Sequence, residues 1–253
     1  MSQLFSVQGK VALVTGGTSG IGYMIAKALV EHGAVTYIVG RDKDRCQVSA
    51  DELTALGECH PLPGDISSLE GVNTLVNDFK QQQSQLDILV NNAGAMYEAP
   101  LDEFSEAGWD SVVDLNLKAV FFLTQELLPL LRVNASDEQA SSVINIGSVG
   151  GLRVGPKENY SYQAAKAGLH HLTGSLAKRL GVENITVNAI APGFFPSAMT
   201  QIPEEVLPEI LKAVPRSRVG SPDDIAGAVI YLASKAGSFV TGAVIPVAGG
   251  MTL

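Results

Sequence analysis

The chain is poor in cysteine, in tryptophan and in positive charge. Its 253 residues include 2 cysteines and 1 tryptophan, and 17 lysines and arginines stand against 26 aspartates and glutamates. Cys46 and Cys59 are too few for a disulfide scaffold and lack metal-ligand spacing, so no metal site is expected. The net charge of −9 argues against nucleic acid or an anionic membrane as a partner.

Long hydrophobic runs are also missing. No stretch approaches the roughly 18 apolar residues that span a bilayer, and Met1–Lys10 lacks the apolar core of a signal peptide. The apolar content of 46% is ordinary for a globular protein. We therefore expect a cytoplasmic protein with a single large α/β domain over residues 1–253.

Short apolar runs rich in β-branched residues alternate with amphipathic stretches along the chain. Seven of these runs predict strands, near residues 11–15, 35–39, 59–62, 86–90, 143–147, 185–191 and 243–247. Strands that alternate with helices predict βαβ units, a parallel sheet and right-handed crossovers.

A glycine-rich turn directly follows the first predicted strand. A helical pattern begins immediately after it. A strand, a tight turn and a helix N-terminus together bind pyrophosphate, because the turn allows close backbone approach and the helix offers free N–H groups. The sequence therefore predicts a dinucleotide site that includes Gly16, Thr18, Ser19, Gly20, Ile21 and Gly22.

Tyr162 and Lys166 are four residues apart, so on a helix they share one face. A free phenol has a pKa of about 10, which is too high for efficient proton exchange near neutrality. A neighbouring cation favours the phenolate and lowers that pKa. The pair therefore predicts a general acid/base.

Further motifs follow in a fixed order: Asn91-Asn92-Ala93-Gly94, Asn116, Ser148 and Pro192-Gly193. With the glycine-rich turn and the Tyr162/Lys166 pair, they make the chain resemble the short-chain dehydrogenase/reductase family, nearest in pattern to the NADPH-dependent 3-ketoacyl reductases. The resemblance implies one doubly wound Rossmann domain with a seven-stranded parallel sheet of order 3-2-1-4-5-6-7. It also implies a substrate lid at about residues 192–219 and a homotetramer.

The same resemblance implies a role for each of four catalytic residues. Tyr162 would donate the proton to the substrate oxygen, and Lys166 would lower the pKa of the phenol and hold the nicotinamide ribose. Ser148 would bind the carbonyl oxygen, and Asn116 would hold a water molecule against the lysine. Ser148 is not read as a hydrolase nucleophile, because Ile146 breaks the G-x-S-x-G pattern.

Further cofactor contacts are implied by the resemblance. Asp65 and Ile66 would hold the adenine, and Asn92, Ala93 and Gly94 would lie along the adenosine ribose. The nicotinamide end would be closed by Pro192, Gly193, Phe195 and Ser197.

The end of the second predicted strand selects between the two dinucleotides. The NAD-selecting acid of the family would align with Gly40 and is absent, whereas Arg41 can pair with a 2′-phosphate. NADP(H) is therefore the expected cofactor. Asp42 leaves an alternative open, since it could either cap the next helix or take the role of the acid.

The substrate is the least determined feature. Residues shortly after the motifs are mostly apolar and predict a cleft for an apolar ketone or 3-ketoacyl compound, formed by Met96, Ser148, Leu152, Phe194 and Met199. The four histidines, including His170, suggest no catalytic role. The alternatives are an NAD-dependent secondary-alcohol dehydrogenase and a non-catalytic dinucleotide-binding scaffold.

Overall fold

The computed structural model describes residues 3–196, 205 and 207–253. Seven strands are described in this part of the chain: β1 (Val11–Thr15), β2 (Val35–Gly40), β3 (Cys59–Pro63), β4 (Ile88–Asn91), β5 (Ser141–Ile146), β6 (Ile185–Pro192) and β7 (Val244–Val247). The helices of the same part are α1 (Gly20–Glu31), α2 (Lys43–Thr54), α3 (Leu69–Gln82), α4 (Glu106–Val113), α5 (Ala119–Leu131), α6 (Tyr160–Leu180), α7 (Leu207–Lys212) and α8 (Pro222–Ala233).

The seven strands form one parallel sheet of order 3-2-1-4-5-6-7, which confirms the predicted Rossmann topology. Strand order reverses between β1 and β4, where Val14 pairs with Ile38 on one side and with Val90 on the other. Ligands of doubly wound sheets bind at such a switch point, beyond the carboxyl ends of the strands. The glycine-rich turn and the Asn91–Gly94 motif both begin at this edge.

The sheet carries a separate apolar core on each face. Ala12 and Val14 of β1 belong to the core that includes α1 and α8, and Leu13 belongs to the core that includes α3 and α5. Because helices cover both faces, every residue of β1 is buried. This explains why the strands are continuous apolar runs rather than alternating patterns.

Two of the predicted site residues, Ser197 and Met199, lie outside the described residues. The described part of the predicted lid contains α7 and a chain that returns towards the cleft at Gly220. Among the described residues, no helix is long and apolar enough to cross a membrane.

Candidate active site

A cleft runs along the carboxyl edge of the sheet at the switch point. Its volume is about 890 Å³, including the solvent-filled space at its open side. It brings together most of the residues predicted for the pyrophosphate, the nicotinamide and catalysis. Its walls are formed by Gly16, Ser19, Gly20, Ile21, Gly22, Asn92, Ala93, Gly94, Ile146, Gly147, Ser148, Tyr162, Lys166, Pro192, Gly193 and Phe195. No cluster of three or more histidine, cysteine, aspartate or glutamate side chains that could hold a metal occurs in the described ranges.

The glycine-rich turn is shaped so that side chains cannot occupy it. Gly16 has φ of 64° and Gly20 has φ of 53°, a left-handed conformation that favours glycine. A Cβ added at Gly22 would lie 2.1 Å from the Gly16 carbonyl oxygen and 2.4 Å from Nδ2 of Asn92. The backbone therefore lies bare where the first turn of α1 begins, as a pyrophosphate site requires. On this geometry the turn fits a dinucleotide.

Thr15 joins the two cofactor segments, and this role was not predicted from the sequence. Its Oγ1 accepts hydrogen bonds from the Asn92 and Ala93 N–H groups at 2.9 and 3.0 Å and donates to the Val90 carbonyl at 3.3 Å. Nδ2 of Asn92 donates in return to the Thr15 and Gly16 carbonyls. The signal was present in the sequence, because a hydroxyl that ends a buried strand needs partners.

Lys166 is buried on the inner face of α6. Its Nζ donates to the Ile146 carbonyl at 2.6 Å and lies 5.7 Å from the centre of the Tyr162 ring. Burial lowers the pKa of Lys166 to about 8. The ammonium is therefore still mainly protonated at neutral pH, and it contacts the end of β5.

The pKa of Tyr162 is raised by burial of the phenol, and hydrogen bonding with Ser148 opposes this shift. The sequence predicted the opposite direction, on the basis of the nearby cation. The difference arises because the Lys166 ammonium is held by the backbone of Ile146, so the lysine does not offset the loss of hydration. The pair is brought together as predicted, but the tyrosine is held as the neutral acid.

Ser148 begins a short 3₁₀ turn just after β5. Its Oγ accepts a hydrogen bond from the Gly150 N–H at 3.0 Å, as the cap of that turn. A hydroxyl has one donor and two acceptor positions, so the Ser148 O–H remains able to donate to a substrate oxygen.

Asn116 lies in a π-helical turn, Asp114–Lys118, rather than inside a regular helix. Its side chain is buried and is paired at both ends with one residue: Oδ1 accepts from the Ala95 N–H at 2.8 Å and Nδ2 donates to the Ala95 carbonyl at 2.9 Å. The wide turn is typical of functional positions in helices. The side chain fixes the loop after β4, and one N–H and one Oδ1 lone pair of its amide are not used by these two bonds. Its part in holding a water molecule stays a prediction.

Arg41 and Asp42, the residues considered for the choice between the two dinucleotides, lie beyond the lining of the cleft, where β2 ends. Arg41 is exposed there. Asp42 caps α2, because its Oδ1 accepts from the Arg45 N–H at 3.0 Å, so the capping alternative applies. A Cβ at Gly40 would lie 2.6 Å from Cγ2 of Thr18, and Thr18 therefore occupies the space that an acid would need.

Asp65 and Ile66 follow β3 as predicted. The Asp65 carboxylate is exposed and accepts from the Ser67 N–H at 2.9 Å, while Ile66 is buried. The cap of α3 is Ser68, whose side chain accepts from the Gly71 N–H. Asp65 therefore shapes the turn before the helix.

Pro192, the last residue of β6, and Gly193 and Phe195 just after it were predicted to close the nicotinamide end. The Gly193 N–H donates to the Val247 carbonyl at 3.0 Å, which ties this end to β7. The Phe195 ring is buried against Gly220, where a Cβ would lie 2.4 Å from the ring. Pro192 and Gly193 line the cleft beside Phe195.

A second groove of about 540 Å³ meets the first at Ser148 and Tyr162. Of the predicted substrate residues, Ser148 and Phe194 line it, whereas Met96 and Leu152 do not. Other side chains in its lining are Val149, Arg153, Lys157, Asn159, Gln163 and Met251. Met251 is far along the chain from the other residues of the groove, and no sequence signal predicted its place there.

Similarity to known proteins extends over the whole chain. A family model described as enoyl-(acyl carrier protein) reductase matches residues 16–252. The rhamnolipids biosynthesis 3-oxoacyl-(acyl-carrier-protein) reductase of Pseudomonas aeruginosa is 45% identical over 258 residues and is covered completely, as is this chain. The 3-oxoacyl-(acyl-carrier-protein) reductase FabG of Chlamydia muridarum is 38% identical over 96% of this chain and 97% of its own.

A solved structure described as the Pseudomonas aeruginosa RhlG/NADP active-site complex superposes with a TM-score of 0.97, at 44% identity and with complete coverage of both chains. The family match, the relatives and the shared fold agree with the geometry of the cleft. The chain therefore belongs to the short-chain dehydrogenase/reductase family.

Proposed function

We propose that the protein reduces the carbonyl of an apolar ketone or 3-ketoacyl compound to a secondary alcohol, with NADPH as the reductant. The observation that carries this proposal is the junction of the two grooves at Ser148 and Tyr162. One groove has bare glycine walls suited to a dinucleotide, and the other has mixed apolar and polar walls suited to a substrate. Bound NADPH would supply the hydride at this junction.

The protonation states of the site favour reduction. Since burial raises the pKa of Tyr162, the phenol is neutral at physiological pH and can donate a proton to the forming alkoxide. Ser148 can donate a hydrogen bond to the same oxygen as charge develops on it. Lys166 places a positive charge 5.7 Å from the centre of the same ring.

NADPH rather than NADH is supported by the end of β2. Arg41 is free to turn towards a 2′-phosphate because Asp42 is used as a helix cap. Residue 40 is glycine, so the chain has no acid at this position to bind a free 2′-hydroxyl, and Thr18 fills the adjoining space. The NADP-bound relative at 44% identity supports the same choice.

A 3-ketoacyl compound is supported by the substrate groove and by the relatives. Val149, Phe194 and Met251 give it apolar surface, while Arg153 and Lys157 add positive charge. Both curated relatives described above are 3-oxoacyl-(acyl-carrier-protein) reductases.

The proposed homotetramer is supported by an apolar hollow on the outer surface of α5 and α6. Its half-buried side chains include Val113, Leu117, Phe121, Phe122 and Leu172. Phe121 and Phe122 are only half-buried, whereas Val120 and Leu123 of the same helix are buried in the protein interior. A surplus apolar face of this kind is typical of subunit contacts. A cytoplasmic location remains part of the proposal.

The test is NADPH oxidation, followed by nicotinamide absorbance, with 3-ketoacyl thioesters, cyclic ketones and sugars offered in turn. We expect turnover of a 3-ketoacyl thioester with NADPH and little with NADH. Oxidation of secondary alcohols with NAD alone would favour the dehydrogenase alternative. Tight cofactor binding without turnover of any compound would favour the non-catalytic scaffold.

A further inference from the structure

His170 lies one helical turn beyond Lys166 on α6, and its ring enters the loop that carries Ser148. Its Nε2 lies 3.4 Å from the Ser148 backbone nitrogen and accepts a hydrogen bond from that N–H. Tyr162, Lys166 and His170 follow one another at four-residue spacing, so all three project from one face of the helix. The histidine is therefore in line with the catalytic pair.

Two glycines of the loop make the space for this ring. A Cβ at Gly147 would lie 2.1 Å from Nε2 of His170, and a Cβ at Gly151 would lie 2.8 Å from its Cε1. The other side of the loop is held by β6, because the Gly147 N–H donates to the Ile190 carbonyl at 2.7 Å. Ser148 is thus fixed between a backbone bond to β6 and a side-chain bond to α6.

We propose that His170 is a positioning residue for Ser148: its neutral ring, protonated on Nδ1, accepts the Ser148 N–H and thereby sets the height of the Ser148 hydroxyl over the substrate carbonyl. This inference rests on the reduction proposed above. Nδ1 is buried, and within the described ranges it has no hydrogen-bond partner, so the ring is held by Nε2 and by its fit between the glycines.

The surroundings keep this ring neutral. Burial and the Lys166 charge lower the pKa of His170, and the nearby Gly151 backbone opposes this shift. Lys166 is the charged group acting on the ring, and the loop after β5 adds the Ser148 N–H and the Gly151 backbone. A lowered pKa means that the acceptor is present at neutral pH and is lost as pH falls below the ordinary histidine range, about 6.5.

The first experiment measures the tautomer and needs no substrate. Two-dimensional ¹H–¹⁵N spectra of the histidine ring, assigned through His170→Gln, should show Nε2 unprotonated and Nδ1 protonated at pH 7.5. A ring protonated on Nε2 would overturn the proposal, because that nitrogen could not then accept the Ser148 N–H. Failure of the proposed reduction would leave this result unaffected.

The second experiment compares two substitutions by steady-state kinetics across pH. His170→Phe keeps a ring but has no acceptor, and we expect kcat to fall about three- to tenfold with little change in KM for NADPH, the effect of one lost hydrogen bond. His170→Gln can present an amide oxygen near the position of Nε2, so it should recover most of kcat. It should also lose the decline in kcat of the wild type at acid pH, because an amide does not titrate.

His60→Gln is the matched control, since His60 is a partly exposed histidine on β3 that pairs with Glu58. It should leave both kcat and the pH profile unchanged. Thermal denaturation identifies variants that fail to fold. A folded His170→Phe with wild-type kcat, or a His170→Gln with an unchanged acid decline, would overturn the positioning role.

Discussion

The two grooves that meet at Tyr162 are built from different parts of the chain. The cofactor groove is shaped by backbone atoms, by glycines and by hydrogen bonds to the backbone, such as those from the Asn92 side chain to the Thr15 and Gly16 carbonyls. The substrate groove is shaped by side chains from distant segments, including Arg153, whose Nη1 donates to the Met251 carbonyl at 2.7 Å. Backbone surfaces tolerate few residue types, whereas side-chain surfaces can be rebuilt. The first groove therefore carries the features of the family, and we expect the second to determine which substrate is accepted.

The proposed catalytic residues lie where the two grooves meet and share features of both. Lys166 is fixed by the backbone of Ile146, while Tyr162 and Ser148 also line the substrate groove. Substitutions can therefore distinguish the two grooves. Some should change turnover alone, some the affinity for the cofactor alone, and some only the stability of the fold.

The largest effect is expected where the two grooves meet, from Tyr162→Phe. This change removes the hydroxyl and keeps the ring, so the proton donor is lost while the fold and the cofactor groove remain. We expect kcat to fall by about 10²–10⁴-fold, with NADPH affinity and the unfolding transition close to those of the wild type. Steady-state kinetics and NADPH titration provide the measurement. Near-normal turnover would mean that another group donates the proton.

Gly22→Ala should selectively disrupt the cofactor groove. The new methyl group would lie 2.1 Å from the Gly16 carbonyl oxygen, and the turn would have to move. Overpacking of this kind costs about 1–3 kcal/mol, and we expect NADPH affinity to fall by at least tenfold. The matched control is Gly174→Ala, on α6, where a Cβ meets nothing within 4 Å. That change should leave affinity intact and stabilise the helix by up to about 1 kcal/mol.

Arg41→Ala tests whether the edge of the cofactor groove selects NADPH. A charge-assisted bond to the 2′-phosphate contributes about 1.5–3 kcal/mol, so NADPH affinity should fall roughly ten- to a hundredfold while NADH affinity stays the same. Lys27→Ala, which removes an exposed cation paired with Glu31 on α1, is the control. Equal loss for both cofactors would contradict a phosphate-specific role.

The pH dependence of stability should reveal the buried Lys166 ammonium. Its folded-state pKa of about 8 is below the unfolded value of about 10.4, so the unfolded chain binds more protons between these two values. The contribution of this lysine to the free energy of unfolding is therefore least favourable below pH 8 and improves as pH rises towards 10.4. Urea denaturation at pH 7 and 9.5 should show the wild type gaining stability relative to Lys166→Met.

Lys27→Met is the control for that comparison, because Lys27 is exposed. Its stability difference from the wild type should be nearly the same at both pH values. An identical pattern for the two variants would mean that Lys166 does not titrate in this range.

The smallest effect is expected from Asp42→Ala, which removes the cap of α2. The free energy of unfolding should fall by about 0.5–2 kcal/mol, with the preference for NADPH over NADH unchanged. Asp42→Asn keeps a capping oxygen and should retain most of that stability. A changed cofactor preference in Asp42→Ala would instead assign this residue to ribose recognition.

Much of the cofactor groove could be predicted, because its sequence motifs are short and continuous along the chain. The glycine-rich turn, Asn92 and Tyr162–Lys166 each occupy a few consecutive residues with fixed backbone geometry, and all of them line the cleft. The strand order also followed from the family pattern, and the structure confirms it. The strand limits moved by a residue or two, as at β4, where the predicted run 86–90 became Ile88–Asn91.

The substrate groove was less predictable, because its lining residues come from separate segments of the chain. Met96 and Leu152 follow family motifs closely, yet they lie outside the groove lining, and Met251 and Gln163 lie inside it. Proximity along the chain does not determine which way a loop side chain points. The lining depends on how the loops after β5 and β6 pack against the C-terminal turn.

The sequence by itself determined the fold and the family and supplied the side chains proposed for catalysis, because periodicity and short motifs encode the βαβ units and the glycine turn. Only the tertiary structure decided the environment of those groups. Burial in the packed structure raises the pKa of Tyr162. Packing also pairs the Asn116 side chain with the Ala95 backbone and places the His170 ring against the Ser148 N–H. The physical reason is that burial, charge proximity and hydrogen-bond partners depend on distances between residues far apart in the chain, and those distances are fixed only when the sheet and helices pack together.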